Sequence, residues 1–289
     1  IPVLVFVLFL GGQILVLLPA KFLGLITRET IETYPTVLYL VIGTFSAVAL
    51  IFVAWIRFFE RRSLSGAGLV FGPGGWRVYA RGFFSGLLMG MAVVATVWWL
   101  GGYRLETESG LTLGDLAPIL IMMFAFMIQA GTEEFVFRGW MMGRIAERWG
   151  IWAGVIGNSL LFMLMHLELG EATALTPSKL LIFVSGILLF SIFLSLMVIR
   201  EKSIWGAAAW HASWNWIFIT WFGLPTTGIE LNLVPLVADL MPGPDSPIWM
   251  TGGAEGPEGS FMTPVIVALG CLALLLRRKA GHSAPNQSP

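Results

Sequence analysis

Six polar residues lie in otherwise apolar stretches of this sequence, at spacings that could bring acid–base groups together. They are Glu133, Glu134 and Arg138 in QAGTEEFVFRGW, His166 in FMLMH, and His211 and Asn215 in HASWN. Carboxylates and imidazoles can exchange protons with water, and amide and ring N–H groups can donate hydrogen bonds. An ionisable side chain in lipid costs at least about 2.5–3.5 kcal/mol, so each one is a functional hypothesis.

Local spacing indicates how these side chains divide into roles. Glu134 and Arg138 are four residues apart, so in a helix they share a face and can form a supporting ion pair. Glu133 lies about 100° around the helix from Glu134 and can point elsewhere. His211 and Asn215 are also four residues apart, and together they could donate hydrogen bonds to a developing oxyanion.

The remaining pair, Glu133 and His166, could activate a water molecule. A carboxylate beside an imidazole can take a proton from water and return it to a leaving amine. Alternatively, the histidines could simply pack and bond between helices, as polar residues of membrane helices do. Asn158 and Gln129 are interpreted in that structural way, as residues that cap or cross-link helices.

Composition identifies lipid as the main solvent of this chain. Of its 289 residues 57% are hydrophobic and 12% charged, and the mean hydropathy of +0.83 exceeds what a soluble domain needs. The net charge is zero, which gives no indication of a nucleic-acid partner. The single cysteine, Cys271, excludes an intrachain disulfide and a multi-cysteine metal site. Gly82, Gly86 and Gly90 form a stripe suited to close helix contact.

Long apolar segments must position the polar residues. A helix needs roughly 20 apolar residues to cross a membrane, and only internally bonded backbone is stable there. We predict an all-α polytopic membrane protein whose eight transmembrane helices enclose an intramembrane polar cavity. A single transmembrane domain would cover 1–279, with the six polar residues inside a core at about 110–222, and 280–289 would be a disordered tail. The eight segments run approximately over 2–20, 36–56, 82–100, 116–142, 152–168, 180–199, 204–222 and 261–276.

Basic residues alternate between the loops of this arrangement. Thirteen of the 17 lysines and arginines fall on one side, which the positive-inside rule assigns to the cytoplasm together with both termini. From a helical rise of about 1.5 Å, Glu133 lies roughly 16 Å from its cytoplasmic end, and His166, His211 and Asn215 lie roughly 21, 10 and 16 Å from theirs. All four can therefore meet in one site, and we expect its cavity to open to the cytoplasm.

Three motifs on successive helices resemble those of a known family. EEFVFRG (133–139) resembles the EExxxR motif of the CAAX prenyl endopeptidase type II family, part of the ABI or CPBP group of intramembrane proteases and bacteriocin-processing proteins. FMLMH (162–166) resembles its FxxxH motif, and HASWN (211–215) its HxxxN motif. The order also agrees, and the resemblance covers about residues 110–222.

The resemblance implies an eight-helix intramembrane endopeptidase of the glutamic type. Glu133 would be the general base and would act with His166 on the hydrolytic water, while His211 and Asn215 would form the oxyanion hole. Glu134 and Arg138 would orient the catalytic helix. The substrate would be a membrane-associated peptide or membrane protein, and the compact chain with short loops suggests a prokaryotic cytoplasmic membrane.

Other readings of the same residues remain open. Glu133, His166 and His211 could ligate zinc, although we favour a metal-free site because Asn215 is a poor zinc ligand and the sequence has no HExxH pair. A non-catalytic scaffold or bacteriocin-immunity-type protein could use the same cavity for binding. A proton-coupled transporter could also bury Glu and His, but two matching halves with broken segments are not evident.

Overall fold

Helices form nearly all of the secondary structure. The computed structural model describes residues 1–27, 29–107, 110–167 and 176–276, so the predicted tail at 280–289 lies outside it. In chain order the α-helices are α1 (Pro2–Phe22), α2 (Tyr34–Ala54), α3 (Gly75–Trp99), α4 (Leu116–Glu134), α5 (Met142–Trp149), α6 (Ile151–His166), α7 (Pro177–Glu201), α8 (Trp205–Phe222), α9 (Ile248–Thr251) and α10 (Met262–Leu276). Single π-helical segments extend α2 (Trp55–Phe59) and α4 (Phe135–Met141), and short 3-10 helices cover Leu64–Ala67, Leu113–Asp115 and Gly253–Gly259.

The chain is a multi-pass membrane protein. Within the described ranges, 6 helical stretches are long and apolar enough to cross a membrane. They are Pro2–Phe22, Tyr34–Phe59, Gly75–Trp99, Leu113–Trp149, Pro177–Glu201 and Gly253–Leu276. The two other predicted segments are also helical: α6 is shorter, at 16 residues, and α8 contains the polar His211 and Asn215 and is buried along nearly its whole length.

One small ribbon departs from the predicted all-α fold. Strand β1 (Tyr103–Thr107) pairs antiparallel with β2 (Asp239–Pro242), with Tyr103 opposite Pro242. The loop after α3 and the loop after α8 lie at the same end of the bundle, so their extended segments can satisfy each other's backbone groups. The Tyr103 hydroxyl donates to the Thr251 carbonyl at 2.7 Å, and burial raises the pKa of that phenol.

Helix α8 is the centre of the bundle and packs mainly on α3 and α4. The glycine stripe of α3 permits this approach, because a Cβ at Gly82 would collide with the Gly206 carbonyl. A Cβ at Gly86 would collide with the Ser213 hydroxyl and the Trp210 carbonyl. The two helices thus meet backbone to backbone, which fixes α8 and its polar residues.

Substituting Gly86 therefore tests this packing. Gly86→Ala is expected to lower the free energy of unfolding by about 1–3 kcal/mol, because the obstructing Trp210 carbonyl is backbone and cannot rotate away. Denaturant titration of the purified protein in detergent micelles measures the change. Gly143→Ala on α5 is the matched control, since its Cβ meets nothing within 4 Å and alanine favours a helix by up to about 1 kcal/mol. Equal stability of both variants would contradict the close approach of α3 and α8.

Ion pairs gather the arginine-bearing segments at one end of the bundle. We call segments 57–81, 142–149 and 200–204 the arginine-rich end. Arg62 pairs with Glu147 at 2.8 Å, Arg144 with Glu60 at 3.3 Å, and Arg81 with Glu201 at 3.7 Å. The opposite end, which we call the acidic end, comprises 100–107, 110–115 and 223–260; the last of these has five acidic and no basic residues.

Candidate active site

The first site residues lie where α4 changes from an α-helix to a π-helical segment. Glu133 and Glu134 are the last two residues of α4, and Arg138 lies within the π-helical turn Phe135–Met141. Such single π-helical turns often occur at functional sites because they re-aim side chains out of the regular register. Here every residue of the turn is buried, so its side chains face protein rather than lipid.

Glu134 is the hub of a buried charge cluster. Its Oε1 accepts a hydrogen bond from Arg138 Nη1 at 3.0 Å, and both side chains are fully buried. The ion pair expected from the four-residue spacing is therefore present. The same oxygen accepts a hydrogen bond from His211 Nδ1 at 2.9 Å. Glu134 thus orients the histidine of the neighbouring helix, a contact that residue spacing along one helix does not reveal.

Glu133 faces the other nitrogen of the same imidazole. Its side chain is 6% exposed, and its Oε2 lies 3.9 Å from His211 Nε2. Its Oε1 accepts a hydrogen bond from Gln129 Nε2 at 3.5 Å. Among the described residues, Oε2 has no hydrogen-bond partner. A buried acceptor without a partner is costly, so this oxygen is suited to bind a water molecule.

Gln129 links the carboxylate to the amide of Asn215. Asn215 Nδ2 donates to Gln129 Oε1 at 3.4 Å, so one side chain of α4 contacts both proposed catalytic groups. The interpretation of Gln129 as a helix cross-link is correct, and its position at the site adds a positioning role. The signal in the sequence was its four-residue spacing from Glu133. Asn158 likewise joins two helices, with its Nδ2 donating to Ser195 Oγ at 3.1 Å.

Removing the Gln129 amide should therefore loosen the site. Gln129→Met keeps the length of the side chain but leaves Glu133 Oε1 and Asn215 Nδ2 buried without a partner. We expect about 1–3 kcal/mol lower free energy of unfolding and cleavage slower by about tenfold or more, which corresponds to ~1.4 kcal/mol in the barrier. Unfolding titrations and initial cleavage rates measure both effects. Gln13→Met, at an exposed position of α1, is the control that should change neither.

His166 stands apart from the carboxylates. It is the last residue of α6, and its Nδ1 donates to the Phe162 carbonyl at 2.8 Å. The centre of its ring lies 4.3 Å from the ring centre of Phe162. The ring centre of Phe162 lies 4.1 Å from the guanidinium carbon of Arg138. Phe162 therefore contacts both groups, and the expected Glu133–His166 pair is not among the contacts in the described part of the chain.

A cavity lies beside this cluster and extends towards the acidic end. Its volume is about 40 Å³, which is enough to hold water. Its inner wall includes Gln129, His166, His211, Trp214 and Asn215, and its outer wall includes Ile187, Thr227, Glu255 and Glu258. The outer residues belong to α7 and to 223–260.

Glu258 fastens the acidic end to α8 at the cavity wall. Its Oε1 accepts a hydrogen bond from Trp214 Nε1 at 3.0 Å. Its Oε2 accepts from Thr226 Oγ1 at 2.9 Å and from the backbone N–H and hydroxyl of Thr227 at 2.8 and 2.7 Å. Sequence reasoning missed this residue, because a loop rich in Pro and Gly suggested irregular structure. Its signal was only the acidic surplus of 223–260.

The zinc alternative concerns the side chains of Glu133, His166 and His211. Among the described residues, no group of three or more His, Cys, Asp or Glu residues is placed to hold a metal ion. The Nδ1 atoms of both imidazoles are engaged by protein acceptors, which is also the usual arrangement of histidines that bind a metal through Nε2, so a chelator experiment decides between the two readings.

The fold and the site together define a multi-pass membrane protein with a buried carboxylate–imidazole–amide cluster beside a cavity. Residues 115–217 match the family described as type II CAAX prenyl endopeptidase Rce1-like. This segment contains all six predicted site residues, so the resemblance inferred from the three motifs is confirmed over it. The comparisons with curated proteins and with solved structures gave no match.

Proposed function

We propose that this protein is an intramembrane endopeptidase in which Glu133 activates water for peptide-bond hydrolysis. The observation that carries the proposal is the Glu133 Oε2 atom, which is buried without a protein partner 3.9 Å from His211 Nε2. A water molecule held between these atoms would lie beside the cavity that His211 and Asn215 line. The match over residues 115–217 to a prenyl endopeptidase family supports this reaction class.

Hydrolysis follows from the roles that the contacts favour. Glu133 takes a proton from water as the oxygen attacks the carbonyl carbon of the substrate, and the resulting oxyanion accepts hydrogen bonds from Asn215 Nδ2 and His211 Nε2. Glu133 then gives its proton to the leaving amine as the C–N bond breaks. The products are one carboxylate and one amine, and the carboxylate side chain is restored.

The bond to Glu134 constrains the hydrogen bonding of His211. Its Nδ1–H is committed to Glu134, so Nε2 can donate to an oxyanion only if it also carries a proton.

The walls of the cavity indicate a membrane-associated peptide or membrane protein as substrate. Phe162, Phe190 and Trp214 supply aromatic surface beside the polar groups of the inner and outer walls. The lipid bilayer is the second partner of the protein. We propose a topology of eight spans with both termini in the cytoplasm. The proposed location is a prokaryotic cytoplasmic membrane. No metal cofactor and no nucleic acid enter the proposal.

A reconstituted system tests the proposal directly. The purified protein in lipid vesicles is incubated with a library of membrane-anchored peptides, and products are identified by mass spectrometry. We expect new peptide termini that appear with the wild type and not with Glu133→Gln. Binding of the same peptides without any cleavage would instead favour the non-catalytic scaffold.

A further inference from the structure

We propose that a second cavity, at the arginine-rich end, binds one anionic phospholipid of the surrounding membrane. This cavity lies between α3, α7 and α10, and Arg81, Arg200 and Glu201 line its mouth; we call it the arginine-end cavity. Its volume is about 720 Å³, within the range of roughly 300–1,000 Å³ that is usual for small-molecule sites. The proposed hydrolysis makes no use of it.

The polarity of the arginine-end cavity changes along the bundle axis, as an amphiphile requires. Arg81 lies near the start of α3, and Glu201 is the last residue of α7. Met89 and Phe193, which also line the cavity, each lie eight residues further along these helices, which is roughly 12 Å deeper at the rise of an α-helix. A charged headgroup would therefore meet charged side chains, and its acyl chain would meet apolar ones.

Contacts with neighbouring helices position both guanidinium groups at the mouth. Arg200 Nη1 donates to the Leu274 carbonyl of α10 at 2.6 Å, and Arg81 Nη2 lies 3.7 Å from Glu201 Oε1. The Arg81 side chain is 71% exposed, so it can turn its other N–H groups towards a ligand. Arginine binds phosphate oxygens through charge-assisted, often bidentate hydrogen bonds, which makes a phosphate headgroup the best match for this pair.

The carboxylate at the mouth does not cancel this positive charge. Two arginines and one glutamate leave a formal charge of +1 around the opening. Glu201 Oε2 lies against the first turn of α8, because a Cβ at Gly206 would collide with it, and the N-terminus of a helix favours a nearby anion. Glu201 thus joins α7 to α8 and to Arg81, and the arginines determine the sign of the ligand.

The arginine-end cavity adjoins the lipid of the membrane. Its flanking helices α3 and α10 carry large exposed apolar side chains, among them Leu88 and Leu272, as expected of helices at the outside of a bundle. Its inner end is closed, since a Cβ at Gly270 would lie only 2.9 Å from both Met89 Cε and Phe193 Cε2. The cavity can therefore take up part of an acyl chain together with the headgroup.

The position of the mouth specifies the leaflet that supplies the lipid. Because cytoplasmic loops carry an excess of Lys and Arg, the arginine-rich end faces the cytoplasmic leaflet. Basic pockets between membrane helices on that side bind anionic headgroups. The expected occupant is thus an anionic phospholipid of the cytoplasmic leaflet.

The arginine-end cavity is separate from the cavity beside Glu133. Among the described residues the two cavities share no lining side chain. The buried Trp210 packs between them, with its ring centre 5.0 Å from that of Phe193 and 5.3 Å from that of Phe190. Phe190 in turn lies 4.9 Å from the His211 ring. A bound lipid therefore supports the far side of the helices around His211 without competing with a peptide for space.

Native mass spectrometry tests the lipid site. The protein is reconstituted in vesicles with equal amounts of phosphatidylglycerol and phosphatidylcholine of the same acyl chains, and is then released into mild detergent. We expect the wild type to retain one phosphatidylglycerol molecule in clear preference to phosphatidylcholine. Arg81→Gln/Arg200→Gln should lower that retention by roughly twenty- to thirtyfold, because each basic residue near an anionic headgroup contributes a factor of about five.

Two further variants separate a built site from general surface charge. Arg77→Gln/Arg148→Gln removes the same charge from exposed positions of the arginine-rich end that do not line the cavity, and it should retain lipid as the wild type does. Ala273→Phe keeps both arginines and fills the apolar wall, so it should lower retention several-fold. This variant tests the site even if the loss of Arg81 and Arg200 impairs folding.

Thermal unfolding distinguishes a lipid from a free anion. A ligand that binds only the folded protein raises its unfolding midpoint, so phosphatidylglycerol in detergent micelles should raise the midpoint of the wild type, and inorganic phosphate should not. Equal retention of the two lipids, an equal loss of lipid in both double arginine variants, or stabilisation by phosphate as large as that by lipid would each overturn the proposal. These results are independent of whether Glu133→Gln abolishes cleavage.

Discussion

Replacing Glu133 with glutamine is expected to slow peptide cleavage by about 10²- to 10⁴-fold, the usual contribution of a general base. The amide has almost the same shape and can still hydrogen-bond to Gln129, which lies 3.5 Å from Oε1. It cannot take a proton from water, so the loss should appear in the chemical step. Single-turnover rates in lipid vesicles, with enzyme in excess over peptide, isolate that step from product release.

Two comparisons make this result specific. Glu147→Gln changes an exposed carboxylate at the arginine-rich end, whose side chain is 55% exposed, and should retain the wild-type rate. Wild type and Glu133→Gln are also assayed with and without a chelator. A wild-type rate indifferent to the chelator agrees with the glutamic mechanism, whereas loss with the chelator and recovery with zinc would require a metal. Undiminished cleavage by Glu133→Gln would exclude Glu133 from the chemistry.

Much of this arrangement could be predicted from residue spacing within single helices. The approximate bounds of the apolar segments follow from hydropathy, and the ion pair of Glu134 and Arg138 follows from four-residue spacing on one helix. The glycine stripe of α3 predicted close packing, and the structure identifies α8 as its partner. Each of these features depends on neighbours in sequence, which is why a single sequence reveals them.

Contacts between helices could not be predicted in the same way. Helical rise gives the depth of His166 but neither its rotation about α6 nor its neighbours, so its contact with Phe162 was not predicted. The bond from His211 to Glu134 depends on the mutual rotation of α4 and α8. The 3-10 helix Leu64–Ala67 and the β-ribbon are short and lack a hydropathy signal, so neither was predictable.

These missed contacts change the role assigned to Glu134. One oxygen of this carboxylate serves both the Arg138 guanidinium and the His211 imidazole, at 3.0 and 2.9 Å. It therefore links the stability of the cluster to the orientation of a proposed oxyanion donor. A substitution that separates these two effects can distinguish a positioning residue from a residue that is required only for folding.

Glu134→Leu is expected to lower the free energy of unfolding by about 3–5 kcal/mol, since it leaves the Arg138 charge buried and unpaired. Both side chains are 0% exposed, so water cannot compensate. The double variant Glu134→Leu/Arg138→Met removes both charges and should regain most of that stability, because apolar replacements of a buried ion pair are often neutral or stabilising. Denaturant titration in mixed micelles measures each variant.

Cleavage should not recover with stability in the double variant. Without Glu134, nothing holds Nδ1 of His211 at 2.9 Å, so the imidazole can rotate away from the oxyanion position and the rate should stay at least about tenfold down. Glu147→Leu removes a partner of the exposed Arg62 and should cost below about 1 kcal/mol without affecting the rate. A double variant as active as the wild type would show that Glu134 serves folding alone. A stability loss as small as that of Glu147→Leu would contradict the burial of the pair.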